Sequence, residues 1–255
     1  MSKNFTDLSD FTKFVANTIS GYICDPETEC DVNDFLSYPQ FVWAFNYGSM
    51  VYHPQLAKDY DVCVILSEQL VDIFNTIFDK SIFDTWSING YPIDVKHSVF
   101  SELDSSELLE LDYNIQNKRS YYRPLYLKMS HSYLHQDSVE MLVSMALCEK
   151  QKVRHSISQK CSNSFVKAKK KLTVEKDYDR YSSMKSLYHS IRMSVFAYHY
   201  AKDGIIKPSV CSNLYKEITE DYENHSDEEV LELINTKYKG IYNEKMRLFR
   251  LFYPK

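Results

Sequence analysis

Hydrophobic positions follow two regimes along the chain. Up to about residue 100, short apolar runs alternate with helical periods; beyond about residue 105 only the helical period remains. Residues 5–18 place Phe11, Phe14 and Val15 at helical spacing, and residues 22–33 read as a polar loop. The run Phe41-Val42-Trp43-Ala44-Phe45 is apolar and aromatic and is stopped by Gly48, which predicts a buried strand. Asp59–Leu66 predicts a second strand, with β-branched residues at 62, 64 and 65. Over Ser67–Asp79, Leu70, Ile73, Phe74 and Ile77 share one helix face, with Ser67 placed to cap it. Two strand-like runs, Phe83–Ile88 and Tyr91–Val99, flank Asn89-Gly90, and a type I′ hairpin turn favours those two residues because it needs positive φ at both. Segments 137–172, 182–202, 211–222 and 227–247 then carry helical periodicity. Ser226 with Glu229 has the form of a capping box, and Gly204 followed by Pro208 marks a helix end.

The expected fold is therefore α+β: a small mixed β-sheet with helices against it, followed by an all-helical region. With the boundary between 105 and 135, the expected domains are 1–120 and 121–255. A chain of 255 residues can bury cores of that size. Only five glycines occur, so each one is informative. The six cysteines lack zinc-like pairing, and reduced thiols in a cytoplasmic protein are the expectation. No apolar stretch suits a membrane span, and the N-terminus has no signal-peptide core. A composition rich in Tyr, Lys, Asn and Ile points to AT-rich coding, as in a bacteriophage or an AT-rich bacterium. Net charge is −5, yet residues 149–171 hold eight Lys and Arg against one acid. That block is either a solvated helix face or a wall that binds a triphosphate or RNA backbone.

The chemistry is concentrated between Tyr47 and Val62. A strand ends at Gly48, where the missing side chain lets a phosphate approach the backbone and Ser49 can donate to it. Nine residues later comes Asp59-Tyr60-Asp61. Strand alternation sends Asp59 and Asp61 to one face, about 7 Å apart, with Tyr60 on the other. Two such carboxylates repel unless a cation lies between them, and hard oxygen ligands suit Mg2+. Asp94, flanked by Ile93 and Val95 after the hairpin, is a third acid.

Gly-Ser, a nine-residue gap, Asp-x-Asp on a strand and a later strand Asp together resemble the polymerase β nucleotidyltransferase superfamily. The resemblance implies that Asp59, Asp61 and Asp94 hold two magnesium ions and that Gly48 and Ser49 hold an NTP. Nucleotidyl transfer to a hydroxyl would then release pyrophosphate. Lys58, directly before the first acid, departs from the usual apolar residue there. In the helical half, Lys185, His189 and Arg192 follow a basic helix and are similar to a Lys-x-x-x-His-x-x-Arg pattern in a predicted bacterial and phage nucleotidyltransferase group. At i, i+4 and i+7 they share a helix face, and the resemblance implies that they bind the nucleotide. The acceptor is open: RNA or tRNA through residues 149–171, a protein side chain or a small molecule. A non-catalytic module of the same fold that binds nucleotide or a partner, as in phage–host conflict, is the competing reading.

Overall fold

The computed structural model describes residues 2–28, 30–35, 38–48, 51, 57–125 and 135–254. Ser49 lies outside the described residues. The chain groups into two compact units, residues 1–103 with 110–144 and residues 104–109 with 145–255.

The first unit is built on a six-stranded mixed sheet of order β1-β4-β5-β3-β2-β6. Strand β1 (Lys3–Phe5) leads into helix α1 (Leu8–Cys24), capped by the Asp7 side chain, which accepts from Asp10 N. The helix begins later and runs further than its sequence period suggested. Phe5 instead supplies strand backbone to β4, and Ile19 and Ile23 extend the buried stripe of the helix. Strand β2 (Phe41–Asn46) is buried at every position and pairs antiparallel with β3 (Tyr60–Leu66). Ser67 does not cap the helical stretch after β3. Its hydroxyl accepts from Phe41 N at 2.8 Å and so holds the start of β2 to the end of β3.

A turn of 3-10 helix then passes into α2 (Val71–Ile77). Residues Lys80–Phe83 form a short helix, α3, not the start of a strand, because the Asp79 carboxylate accepts from Ser81 N and closes a helical turn. Strand β4 (Trp86–Ile88) turns into β5 (Tyr91–Val99) through Asn89 and Gly90, with φ of 50° and 80°, as the type I′ reading requires. Strand β5 then lies parallel to β3.

After α4 (Ser105–Gln116), the segment Ser120–Pro124 forms β6 against β2. The strand pattern thus continues beyond residue 105. Ser-Tyr-Tyr-Arg-Pro lacks aliphatic alternation and contains a proline, which only an edge strand tolerates, and β6 is at the sheet edge. One sheet face carries Val42, Ala44, Val62, Val64, Leu66 and Ile93 into a core with Phe11, Val15 and Ile19 of α1 and Phe74 of α2. The other carries Trp43, Phe45, Cys63 and Ile65, all buried.

Helices α5 (Gln136–Cys148), α6 (Lys150–Thr173), α7 (Arg180–Asp203), α8 (Ser212–Asn224), α9 (Asp227–Leu233) and α10 (Lys239–Phe252) complete the chain. In the second unit α6 and α7 lie side by side. Buried Ser183 and Ser190 of α7 donate to the carbonyls of Ala168 and Cys161 on α6, each at 2.7 Å, so small polar residues bring the two backbones close. Gly204 ends α7 in the left-handed conformation, and Ser226 with Glu229 caps α9 as a capping box. A π-helical turn, Ile234–Tyr238, joins α9 to α10. Among the described residues no helix is long and apolar enough to cross a membrane.

Candidate functional site

The parallel ladder between β3 and β5 sets Asp61 directly opposite Asp94. Residues in register project to the same sheet face, and neighbouring strands run about 4.8 Å apart, so the two side chains are neighbours. Asp61 is half-buried and Asp94 exposed. Tyr60, sent the other way by alternation, lines a cavity of about 290 Å3 with Asp7, Leu8 and Tyr121. Asp59 is exposed in the bend one residue before β3 begins.

Gly48 closes over Asp61. Its φ is +71°, and a Cβ built there would lie 2.1 Å from Asp61 Oδ2 and 3.0 Å from its Cγ. The carboxylate thus occupies the space where any other residue would carry its side chain. Two backbone bonds fix this approach: Tyr47 N donates to the Asp61 carbonyl at 3.0 Å, and Val51 N donates to the Gly48 carbonyl at 3.2 Å. Glycine is required here for both reasons at once, the left-handed backbone and the close approach.

Tyr47 reports what gathers on this face. Its phenol is pushed well above its ordinary range, first by burial and then by the nearby acids Asp61, Asp94 and Glu110. The Lys96 ammonium lies 4.7 Å from the centre of the Tyr47 ring. Lys96 is two residues after Asp94 on β5 and opposite Cys63, hence on the same face as the two acids. Glu110 comes from α4 and is buried. One turn on, Asn114 donates through Nδ2 to the Asn46 carbonyl at 3.0 Å and to the Glu110 carbonyl at 2.7 Å, tying this helix to the end of β2. As oxygen donors, Asp61 and Asp94 suit a hard cation such as magnesium. Among the described residues, however, no group of three or more His, Cys, Asp and Glu side chains is arranged to hold a metal ion. The fit is therefore to a pair of carboxylates, with further ligands to come from water and substrate phosphates.

In the helical unit, Lys185, His189 and Arg192 run from exposed to buried. Lys185 is exposed, its ammonium 5.2 Å from the Tyr181 ring centre. His189 is half-buried and held neutral, its pKa pushed down to about 3 by desolvation and by the nearby charges of Arg192 and Lys160. Arg192 is buried, 3.3 Å from His189 Nδ1, with its guanidinium over the rings of Tyr188 and Phe196. The basic stretch 149–171 is largely engaged along α6. Lys152 pairs with Glu149, Lys160 with Asp104 and Lys170 with Asp177, while Lys169 donates to Asn235.

The chain matches no protein-family model, and no curated protein or solved structure is significantly similar to it. The chemistry of the site therefore rests on its own residues.

Three members of the acid face were not singled out in the sequence. Lys96 had a signal, since alternation from Asp94 puts it on the same face. Glu110 had a weaker one, as a glutamate one turn before Asn114 in the Leu-rich stretch Leu108–Leu111. Tyr47 had only its position beside Gly48.

Proposed function

We propose that the chain is a magnesium-dependent nucleotidyltransferase that moves a nucleoside monophosphate from an NTP to an acceptor hydroxyl. The observation that carries this reading is Asp61 set opposite Asp94 with Gly48 closed against the Asp61 carboxylate. A nucleotidyltransferase core of the polymerase β type is the finer fold reading that goes with it.

Asp61 and Asp94, with Asp59 at the strand start, would hold magnesium, which when bound supplies charge neutralisation on the phosphates and the attacking oxygen. The Gly48 turn, with Ser49 beside it, receives the triphosphate. The acceptor oxygen forms a bond to the α-phosphorus while the bond from that phosphorus to the bridging oxygen breaks, and pyrophosphate leaves. Asp94, the more exposed acid, takes the acceptor proton and returns it to solvent. Lys96 adds a fixed positive charge beside the two acids, where negative charge develops on the phosphates. Lys185 is the exposed candidate for nucleotide contact in the helical half; Arg192 and the neutral His189 would act by shaping the helix beneath it.

The experiment is incubation of the purified chain with α-labelled NTPs, Mg2+ and total RNA, alongside Asp61→Asn and Asp94→Asn. Label on RNA, or on the protein itself, that falls by about a hundredfold or more in either variant supports the reading and identifies the acceptor class. Equal labelling by all three proteins refutes it. A second reading is a nucleotide-binding module without catalysis, which the same Gly48 turn and Asp61–Asp94 pair would also serve. Mg2+-dependent NTP binding without any transfer would select it.

A further inference from the structure

A cavity of about 630 Å3 opens between α6 and α10, lined by Gln151, Arg154, His155, Ser158 and Arg250. We infer that it is a binding site for phosphate oxyanions, distinct from the acid face and independent of the nucleotidyltransferase reading. Gln151, Arg154, His155 and Ser158 are at i, i+3, i+4 and i+7 of α6, so one helix face presents four polar side chains to the same space. Arg250 enters from α10. Among the described residues no acid lines the cavity.

The hydrogen bonds of the two arginines set this place apart from the rest of α6. Lys152, Lys160 and Lys170 are each matched to a carboxylate. Arg154 instead donates to the Tyr253 carbonyl at 2.8 Å, and Arg250 donates to the Ser158 hydroxyl at 3.4 Å. A carbonyl and a hydroxyl orient a guanidinium without cancelling its charge. Each guanidinium carries five donors in a planar fork suited to two oxygens of one phosphate. The Ser158 oxygen, accepting from Arg250, has its own O–H to give, and Gln151 adds amide donors.

The volume exceeds that of a single phosphate and falls within the range of small-molecule sites. No Phe, Tyr or Trp ring lines it among the described residues, and the His155 imidazole, like the two guanidiniums, offers stacking that does not distinguish one base from another. The site therefore suits a phosphate chain read without regard to base. Its source is either a polynucleotide backbone or a free nucleotide or pyrophosphate.

The test uses the full chain and a dye-labelled single-stranded RNA of about 12 nucleotides, followed by anisotropy between about 50 and 200 mM salt. ATP and pyrophosphate are titrated separately by calorimetry and as competitors. Arg250→Gln is the main variant, because Arg250 is exposed and its removal leaves the α10 core in place. Arg154→Gln is the second, and Lys216→Gln on α8 is the control. We expect Arg250→Gln to weaken binding by about fivefold or more, and to flatten the slope of log K against log salt by about 0.7, as expected when one phosphate is no longer neutralised. Lys216→Gln should change neither. If RNA binds and millimolar pyrophosphate does not displace it, the source is a polynucleotide backbone. If ATP or pyrophosphate binds and loses affinity in the arginine variants, the source is the free phosphate. Unchanged affinity and slope in both arginine variants, with melting curves like the wild type, would overturn the inference, as would the absence of binding by all three ligands. Repeating the titration in Asp61→Asn separates the two readings, since the cavity should bind as before when the acid face is disabled.

Discussion

Replacing Gly48 by alanine tests the geometry on which the candidate site depends. Two costs are expected, and they are separable. The backbone at φ +71° disfavours any residue with a Cβ, by about 1–2 kcal/mol. The new methyl would also stand 2.1 Å from Asp61 Oδ2, far inside contact distance, so the carboxylate must turn away from the loop. A double-mutant cycle isolates the second cost. Gly48→Ala is measured by urea unfolding in the wild-type background and again with Asp61→Ala, where the obstructing carboxylate is gone. The backbone term remains in both backgrounds, whereas the clash is present only in the first. We expect Gly48→Ala to be more costly with Asp61 present, by about 0.5–3 kcal/mol, the usual range for residues in direct contact. For a chain of this length the backbone term alone lowers the melting temperature by about 2–8 °C. Equal costs in the two backgrounds would mean that the Asp61 side chain does not lie against Gly48, and the proposed site would lose its central observation.

Three further substitutions probe the fold of the two units. Ser67→Ala removes the acceptor of the buried Phe41 N–H and should destabilise the sheet by about 1–3 kcal/mol in chemical unfolding; a loss below a few tenths would show that this bond is not holding β2 to β3. Asp112 is buried, and desolvation pushes its pKa up to about 6 despite the bond from Gln116. The folded state therefore binds a proton between about pH 4 and 6 that the unfolded state has lost, and stability falls as pH rises through that window. Asp112→Asn should remove this decline and raise stability at pH 7 by up to about 3 kcal/mol, and an unchanged pH profile would refute the burial argument. His189 acts in the opposite direction. With its pKa depressed to about 3, the stability it contributes is present above about pH 6.5 and is lost as pH falls toward 3. Substitution by glutamine should flatten that acid limb in thermal melts, and retention of the full limb would assign it to other groups.

Local signals were legible wherever one residue's conformation decided the structure. Asn89-Gly90 produced its turn, Gly204 its helix end and Ser226 with Glu229 its capping box, because each rests on interactions within a few residues. Asp61 and Asp94 could be placed on strands for the same reason. Their mutual register could not, since it depends on the parallel pairing of β3 with β5 across some thirty residues of chain. Ser67 shows the opposite failure: locally it reads as a helix cap, yet its hydroxyl accepts from Phe41 N on the neighbouring strand. The edge strand β6 was hidden by its proline and lack of aliphatic residues. Glu110 was hidden because helical periodicity marks a face without saying which sheet it meets. Lys185, His189 and Arg192 lie along one helix, but spacing alone does not tell which of three polar residues is buried.

Charge on the acid face leads to a last prediction. Asp61, Asp94 and Glu110 all act electrostatically on Tyr47, and the Lys96 ammonium lies over its ring. Counted formally, three carboxylates and one ammonium leave an excess of two negative charges. At about 5 Å and an effective dielectric near 20, the facing pair Asp61 and Asp94 costs up to about 3 kcal/mol, less the solvent screening of the exposed Asp94, so a cation would be drawn in before any substrate arrives. One divalent ion balances that excess. A triphosphate brings about four more negative charges to the same face, and only then is a second ion demanded. The two ions implied by resemblance should therefore bind in sequence. Titration of the apoprotein with Mn2+, followed by electron paramagnetic resonance, should find one bound ion per chain. Adding a non-hydrolysable NTP should raise the count to two. Lys96→Met, which removes the ammonium but keeps its hydrocarbon stem, should tighten binding of the first ion and let a second bind without nucleotide. Two ions of similar affinity in the nucleotide-free wild type would refute the charge balance while leaving the site standing. No Mn2+ binding at all, with or without NTP, would remove the metal, and with it the catalytic reading.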